Sequence, residues 1–457
     1  MKAKFTKATV LTLVWVLAWT GLFPGSAAAE WENLFDGTTL QGWETKNGWA
    51  EFRVEDGAIV GKSVAQSPNT FLATKKVYRD FVLELEVKVD EGLNSGIQFR
   101  SSRFPEYREG RVHGYQYELD TGPRAWSAGI FDEARRGWLY PVDFNPRAKT
   151  LFKQNEWNQV KIECVGPSLR TWLNGKPVAH LMDDLTNKGF IALQVHGVGS
   201  RDHLVGKEIA WRNIRIDTAI AKATPSRGLY IRNLIPNNVS ADEAAQGWKL
   251  LWNGKNLSGW RNVGKNSAPE KGWMVENGVL TVQATELGQA KIGGDIIAQD
   301  PYGVFELDLE FKITPGANSG IKYFASEKGN SALGLEYQIL DDKRHPDAKK
   351  GVVGNRTCAS LYDLIPSERF VSHRNVPVEV GKWNHARIIA RPNGVVQHWL
   401  NGFKVVQFQR GNNIFRALVA RSKYAELEGF GLADKGYISL QDHNNEVSFR
   451  SIKVRPL

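Results

Sequence analysis

Tyr78-Arg79-Asp80-Phe81-Val82-Leu83-Glu84-Leu85-Glu86-Val87-Lys88-Val89 returns 224 residues later as Tyr302-Gly303-Val304-Phe305-Glu306-Leu307-Asp308-Leu309-Glu310-Phe311-Lys312-Ile313. In both stretches apolar side chains occupy every second position, the period of a strand with one face on a core. Outward from this pair the match continues in order. Asn94-Ser95-Gly96-Ile97 falls on Asn318-Ser319-Gly320-Ile321, and Trp172-Leu173-Asn174-Gly175 on Trp399-Leu400-Asn401-Gly402. The openings Leu34-Phe35-Asp36-Gly37 and Leu251-Trp252-Asn253-Gly254 correspond, as do the endings Leu193-Gln194-Val195-His196 and Leu440-Gln441-Asp442-His443. A repeat this long is two whole domains, not a solenoid array.

The composition agrees. In 457 residues there are 44 Gly and 11% aromatics, and no long Ala/Leu/Glu/Lys stretch. Asn174-Gly175, Asn401-Gly402, Asp56-Gly57 and Asn277-Gly278 are tight-hairpin signals between apolar runs. Short strands punctuated this often predict an all-β fold, two jelly-roll β-sandwiches in tandem over residues 30–217 and 246–457. Residues 218–245 read as a linker, with a short helix capped by Ser240-Ala241-Asp242-Glu243.

Residues 1–29 have the form of a signal peptide. Lys2, Lys4 and Lys7 precede an apolar run from Val10 to Phe23, and Ala27-Ala28-Ala29 supplies the cleavage site. The expected location is periplasmic or secreted, with no membrane span after signal removal. The net charge of +10 is spread among acids without an arginine-rich arm, so nucleic acid is not an expected partner. Cys164 and Cys358 do not correspond between the copies and read as buried thiols.

Three polar clusters carry candidate chemistry. Glu306, Asp308 and Glu310 share one strand face, as in a two-carboxylate glycosidase of the laminarinase type, although the first copy offers only Glu84 and Glu86 before Lys88. A solvated outer face explains the same pattern. In the second cluster, Glu336 and Gln338 alternate with Tyr337 and Ile339, followed by Asp341 and His345; the first copy has Gln116, Glu118 and Asp120. A carboxylate and an amide on one face suit sugar hydroxyls, which donate and accept. The third cluster pairs Gln194 with His196 and Gln441 with His443, each at i, i+2. A neutral His at such a position is a general base or a structural group on a wet face. Trp43, Trp126, Trp138, Trp172, Trp260 and Trp399 are either sugar platforms or core.

These residues make the chain resemble the 3-keto-disaccharide hydrolase (3-keto-glucoside hydrolase or lyase-like) family. The resemblance rests on Asn94-Ser95-Gly96-Ile97-Gln98-Phe99-Arg100, on Gly114 to Asp120 and on Asp132 to Trp138. In the second copy it rests on Glu336 to Ala348 and Ser360-Leu361-Tyr362-Asp363. It implies concanavalin A-like jelly rolls acting on oxidised (3-keto) glucosides or oligosaccharides. A ketone at C3 acidifies the C2 hydrogen, so a base can expel the C1 substituent by elimination, and water then adds back. The resemblance nominates Glu336 or His443 as base and Asp341 as acid or metal ligand, with Asn318, Gln338, Gln441 and His345 on substrate. In the first copy the corresponding set is Glu118, Asp120 and His196, with Asn94, Arg100, Gln116 and Gln194 as contacts. A divalent cation is compatible with these side chains but not demanded by them. The competing reading is a non-catalytic carbohydrate-binding or adhesion pair on the same fold.

Overall fold

The computed structural model describes residues 30–226, 228–284, 293–371 and 374–457. The signal-peptide reading of residues 1–29 lies outside them. The described chain is nearly all β, as expected. Among the described residues the α-helices are two short ones, Ala241–Ala245 and Asn413–Val419, and no helix is long and apolar enough to cross a membrane.

Each half is a pair of sheets packed face to face, antiparallel except for one parallel edge strand in the first half. The first half joins a nine-stranded sheet to a seven-stranded one, and the second joins an eight-stranded sheet to a five-stranded one. The strand Phe81–Val89 lies inside the larger sheet, between Asn158–Val165 and Glu208–Asp217. Its copy Phe305–Ile313 lies between Asn384–Ala390 and Val447–Pro456. Phe81, Leu83, Leu85, Val87 and Val89 sink into one core, and Phe305, Leu307, Leu309, Phe311 and Ile313 into the other. Burying each such side chain stabilises by roughly 1.5–3 kcal/mol.

The smaller sheets carry the polar clusters on the face turned from the core. Along His113–Asp120, Tyr115, Tyr117 and Leu119 are core residues, which leaves Gln116 and Glu118 on the opposite face. Along Ser331–Leu340, Leu335, Tyr337 and Ile339 are core, opposite Glu336 and Gln338. Each neighbouring strand contains a bulge at the same place. Arg100 and Phe324 adopt φ of 46° and 49°, and the register slips there. Gly189 and Gly436 face these bulges so closely that a Cβ would come within 2.3 Å of backbone.

Two sequence expectations change here. The linker expected over residues 218–245 is packed against both halves from Tyr230 onward. Arg232–Asn233 adds a parallel strand beside Leu181-Met182 of the first half. Tyr230, Arg232 and Glu243 then bond to the larger sheet of the second half, on which Trp248 also packs. That segment buries Glu306, Asp308 and Glu310, which are 1%, 1% and 5% exposed. Glu306 is held by Arg387 and Arg455, Glu310 by Arg450, and Asp308 by His385 and Tyr230. The acidic strand is therefore a covered ion-pair face, and the laminarinase-type arrangement is not formed.

Candidate functional site

In the second half a cavity of about 340 Å³ opens over the smaller sheet. Asn318 and Lys322 reach it from the strand Asn318–Lys328, Glu336 and Gln338 from Ser331–Leu340, and Gln441 and His443 from just beyond Tyr437–Leu440. Antiparallel pairing sets Gly320 opposite Gln338 and Lys322 opposite Glu336. A Cβ at Gly320 would lie 2.3 Å from Gln441 Oε1 and 2.9 Å from Glu336 Oε1, so any larger residue would displace these side chains. Five of the residues expected to act together, Glu336, Gln338, Gln441, His443 and Asn318, thus line one opening.

Glu336 is 5% exposed and accepts a hydrogen bond from Gln441 Nε2 at 3.2 Å. Burial raises its pKa, against the pull of Lys322 and Lys423. Lys322 is fixed by Ala332 O at 2.8 Å. Lys423 stands over the Tyr362 ring at 4.1 Å, and desolvation lowers its pKa while Glu336 raises it. Gln441 Oε1 and Asn318 Oδ1 are buried without a hydrogen-bond partner. Unmet acceptors beside a cavity are places for ligand donors. His443 sits exposed at the mouth.

Lys322, Lys423 and Tyr424 were not singled out in the sequence, and Tyr362 only as part of the stretch Ser360–Asp363. Lys423 and Tyr424 follow the helix Asn413–Val419, in an excursion between the strands Phe403–Gln409 and Tyr437–Leu440. The first half joins its matching strands, Lys176–Met182 and Phe190–Val195, far more directly. That length mismatch was the available signal.

Asp341 and His345 stand apart from this cavity. Asp341 organises the strand exit: the Gly316 and Lys343 amides and Arg344 bond to it, and against its desolvation they hold its pKa below the ordinary value. His345 Nδ1 accepts from the Asp347 amide and caps a short 3-10 turn. Both serve chain geometry, because the strand has already ended at Leu340.

The first half presents the same face differently. Gln98, Gln116, Glu118 and Gln194 are each less than 5% exposed and bond among themselves. Gln116 Oε1 accepts from Gln98 and from Gln194 at 2.9 Å, and Gln116 Nε2 donates to Glu118 at 2.9 Å. Asn94 donates to Glu118 at 2.7 Å. Arg124 lies over the cluster, 3.0 Å from Glu118 and 2.8 Å from Asp120, its guanidinium 4.7 Å and 4.9 Å from the Trp126 and Trp138 rings. Burial nevertheless lifts the Glu118 pKa to about 7. His196 lines a separate hollow of about 350 Å³ with Asn69, Arg111 and Glu133, and burial lowers its pKa. Arg100 is no substrate contact. The bulge turns it inward, 1% exposed, where it ties Arg79 O, Gly166 O and Asp80 together. Of the tryptophans, Trp43, Trp126, Trp260 and Trp399 are buried, while Trp138 and Trp172 are half-buried.

Among the described residues no group of three His, Cys, Asp or Glu could hold a metal ion. The cavity's donors, one carboxylate, one imidazole and neutral amide oxygens flanked by two lysines, do not fit a divalent cation.

A family model described as the 3-keto-alpha-glucoside-1,2-lyase-like domain matches residues 30–217 and again residues 247–455. A curated 3-keto-disaccharide hydrolase of Bacteroides thetaiotaomicron is 35% identical over 237 residues, covering 47% of this chain and 79% of that protein. A solved structure from Parabacteroides distasonis, a candidate glycosyl hydrolase, is 28% identical, with a TM-score of 0.43 over 49% of this chain and 99% of that one. A lichenase derived from a mouse hindgut metagenome is 14% identical, with a TM-score of 0.30 over 42% and 99% of the two chains.

Proposed function

The chain belongs to the 3-keto-alpha-glucoside-1,2-lyase-like family, and from that premise we propose that it is an exported enzyme cleaving 3-keto-disaccharides in the second half's cavity. One observation carries this reading: a buried carboxylate, three amides and a rim imidazole converge on one opening. The B. thetaiotaomicron relative is named for the same substrate class.

Glu336 is the base. Its carboxylate takes the C2 proton of the 3-keto sugar, and its raised pKa makes it a stronger acceptor than an exposed glutamate. The electron pair moves onto the C3 oxygen, where the positive field of Lys322 and Lys423 stabilises the enolate. The enolate then collapses, the C1–O bond breaks, and His443 at the mouth protonates the departing oxygen. Water adds at C1 of the resulting enone and gives a proton to His443, while Glu336 returns its proton to C2, which balances as hydrolysis. Gln338, Gln441 and Asn318 hold sugar hydroxyls, Gln441 and Asn318 through their unmet acceptors.

The first half is assigned a binding or supporting role, because Arg124 occupies the space above Glu118. The test is to incubate the purified protein with a 3-keto-disaccharide and follow release of 3-keto-glucose. Glu336→Gln is expected to stay folded and lose turnover. Full turnover in that variant would refute the assignment, and substrate binding without turnover in the wild type would favour a non-catalytic sugar-binding protein.

A further inference from the structure

A second cavity, of about 600 Å³, lies between the two halves. Arg135 and Trp138 line it from the first half, Leu234 from the intervening segment, and Trp383, His385 and Phe403 from the second. Its size is in the range of small-molecule sites, roughly 300–1,000 Å³. Two lining residues carry buried polar atoms without a partner, His385 Nδ1 and Arg135 Nη2.

The chemistry of each atom follows from its neighbours. His385 is 3% exposed, with Nε2 2.9 Å from the Asp308 carboxylate. Burial and Arg232 lower its pKa against the raising pull of Asp308 and Glu310, which favours the neutral ring. A neutral ring donating through Nε2 to a carboxylate leaves Nδ1 as an acceptor. Arg135 commits Nε to Asp132 at 2.7 Å and Nη1 to Thr186 at 2.8 Å, which leaves Nη2 as a donor. The other cations here are held in ion pairs: Arg136 with Asp132 and Asp183, Arg232 and Arg450 with a shared Glu310, and Lys382 with Glu379. The cavity thus offers an acceptor, a donor and aromatic walls, with each lining cation held in an ion pair.

We propose that this cavity binds a neutral saccharide, one hydroxyl donating to His385 Nδ1 and another accepting from Arg135 Nη2. The aromatic walls supply apolar area for the sugar's C–H faces. Neither nitrogen is wetted as the walls stand, so the sugar enters with a small outward shift of the lining. The site is independent of turnover at Glu336 and stands or falls separately.

The experiment titrates the full chain with cellotetraose and maltotetraose, read by calorimetry and by the fluorescence of Trp138 and Trp383. Saturable binding of at least one is expected. Leu234→Trp, which fills the cavity, and Arg135→Met, which removes the donor, should each weaken it by about tenfold or more. Glu336→Gln should leave this binding intact, and thermal melts establish that each variant is folded. Absence of binding at millimolar sugar, unchanged binding in Leu234→Trp, or tighter binding of digalacturonate than of the neutral sugars would each overturn the proposal.

Discussion

On the smaller sheets, the two halves carry the same three strands, the same glycine beneath the polar cluster and the same terminal Gln, yet they exchange carboxylate and amide. Gly96 faces Glu118 and Gln98 faces Gln116; in the second half Gly320 faces Gln338 and Lys322 faces Glu336. The acid has moved by one pleat, and a lysine replaces Gln98. In the first half the acid meets Arg124 and the amides bond to one another, with Gln194 Oε1 left over. In the second, the loop after Asn413–Val419 keeps an opening, and lysines face the acid. The larger sheets differ too. Glu84 and Glu86 pair with Arg215 and Arg212 on a half-open face, whereas Glu306, Asp308 and Glu310 are sealed under residues 228–248. One fold thus supports a closed polar cluster and an open one, and what covers each face decides which.

The sharpest way to break this comparison is to neutralise the two acids separately. Glu336→Gln is expected to lower 3-keto-disaccharide turnover by about 10³-fold, the scale of losing a general base. Glu118→Gln should change it by less than about twofold; equal losses from both would mean that the closed cluster also works. A second contrast uses the larger sheets. Lys453 is 2% exposed and pairs with the buried Glu243, so Lys453→Met should cost about 3–5 kcal/mol in denaturant unfolding. Arg215→Ala removes a half-exposed pair with Glu84 and should cost under about 1 kcal/mol.

The third contrast is in pH. With a folded pKa of about 7 against an ordinary 4.5, Glu118 binds more protons folded than unfolded between those values. Its contribution is full below about pH 4.5 and is lost as pH rises through 7, by about 3 kcal/mol at most. Glu118→Gln should flatten that part of the stability curve, and an unchanged slope would put its origin elsewhere. A smaller loss than that of Glu336→Gln is expected at His443, where His443→Ala should slow turnover by about 10- to 100-fold and leave the melting temperature unaltered.

Much of this was legible in the residues. Alternation from Phe81 to Val89 and from Phe305 to Ile313 located the buried strands, and alternation around Glu336 put the carboxylate and Gln338 on one face. What alternation cannot show is what lies over a face. Glu306, Asp308 and Glu310 resembled a solvated or catalytic strand, but their cover comes from a segment about 70 residues earlier. Arg100 kept the strand's rhythm in sequence, and only the bulge at φ 46° turned it inward. Lys423 reaches the cavity from a loop whose counterpart in the first half is missing, so no repeat pointed to it.

The parallel strand Arg232–Asn233 completes an edge of one half while its flanking side chains roof the other. Anyone excising the second half for separate expression would therefore need to start the fragment near Ser226, ahead of Tyr230. Starting at residue 246 would strip the shelter from three carboxylates and their cations, and the fragment would present a raw, highly charged flank to the solvent.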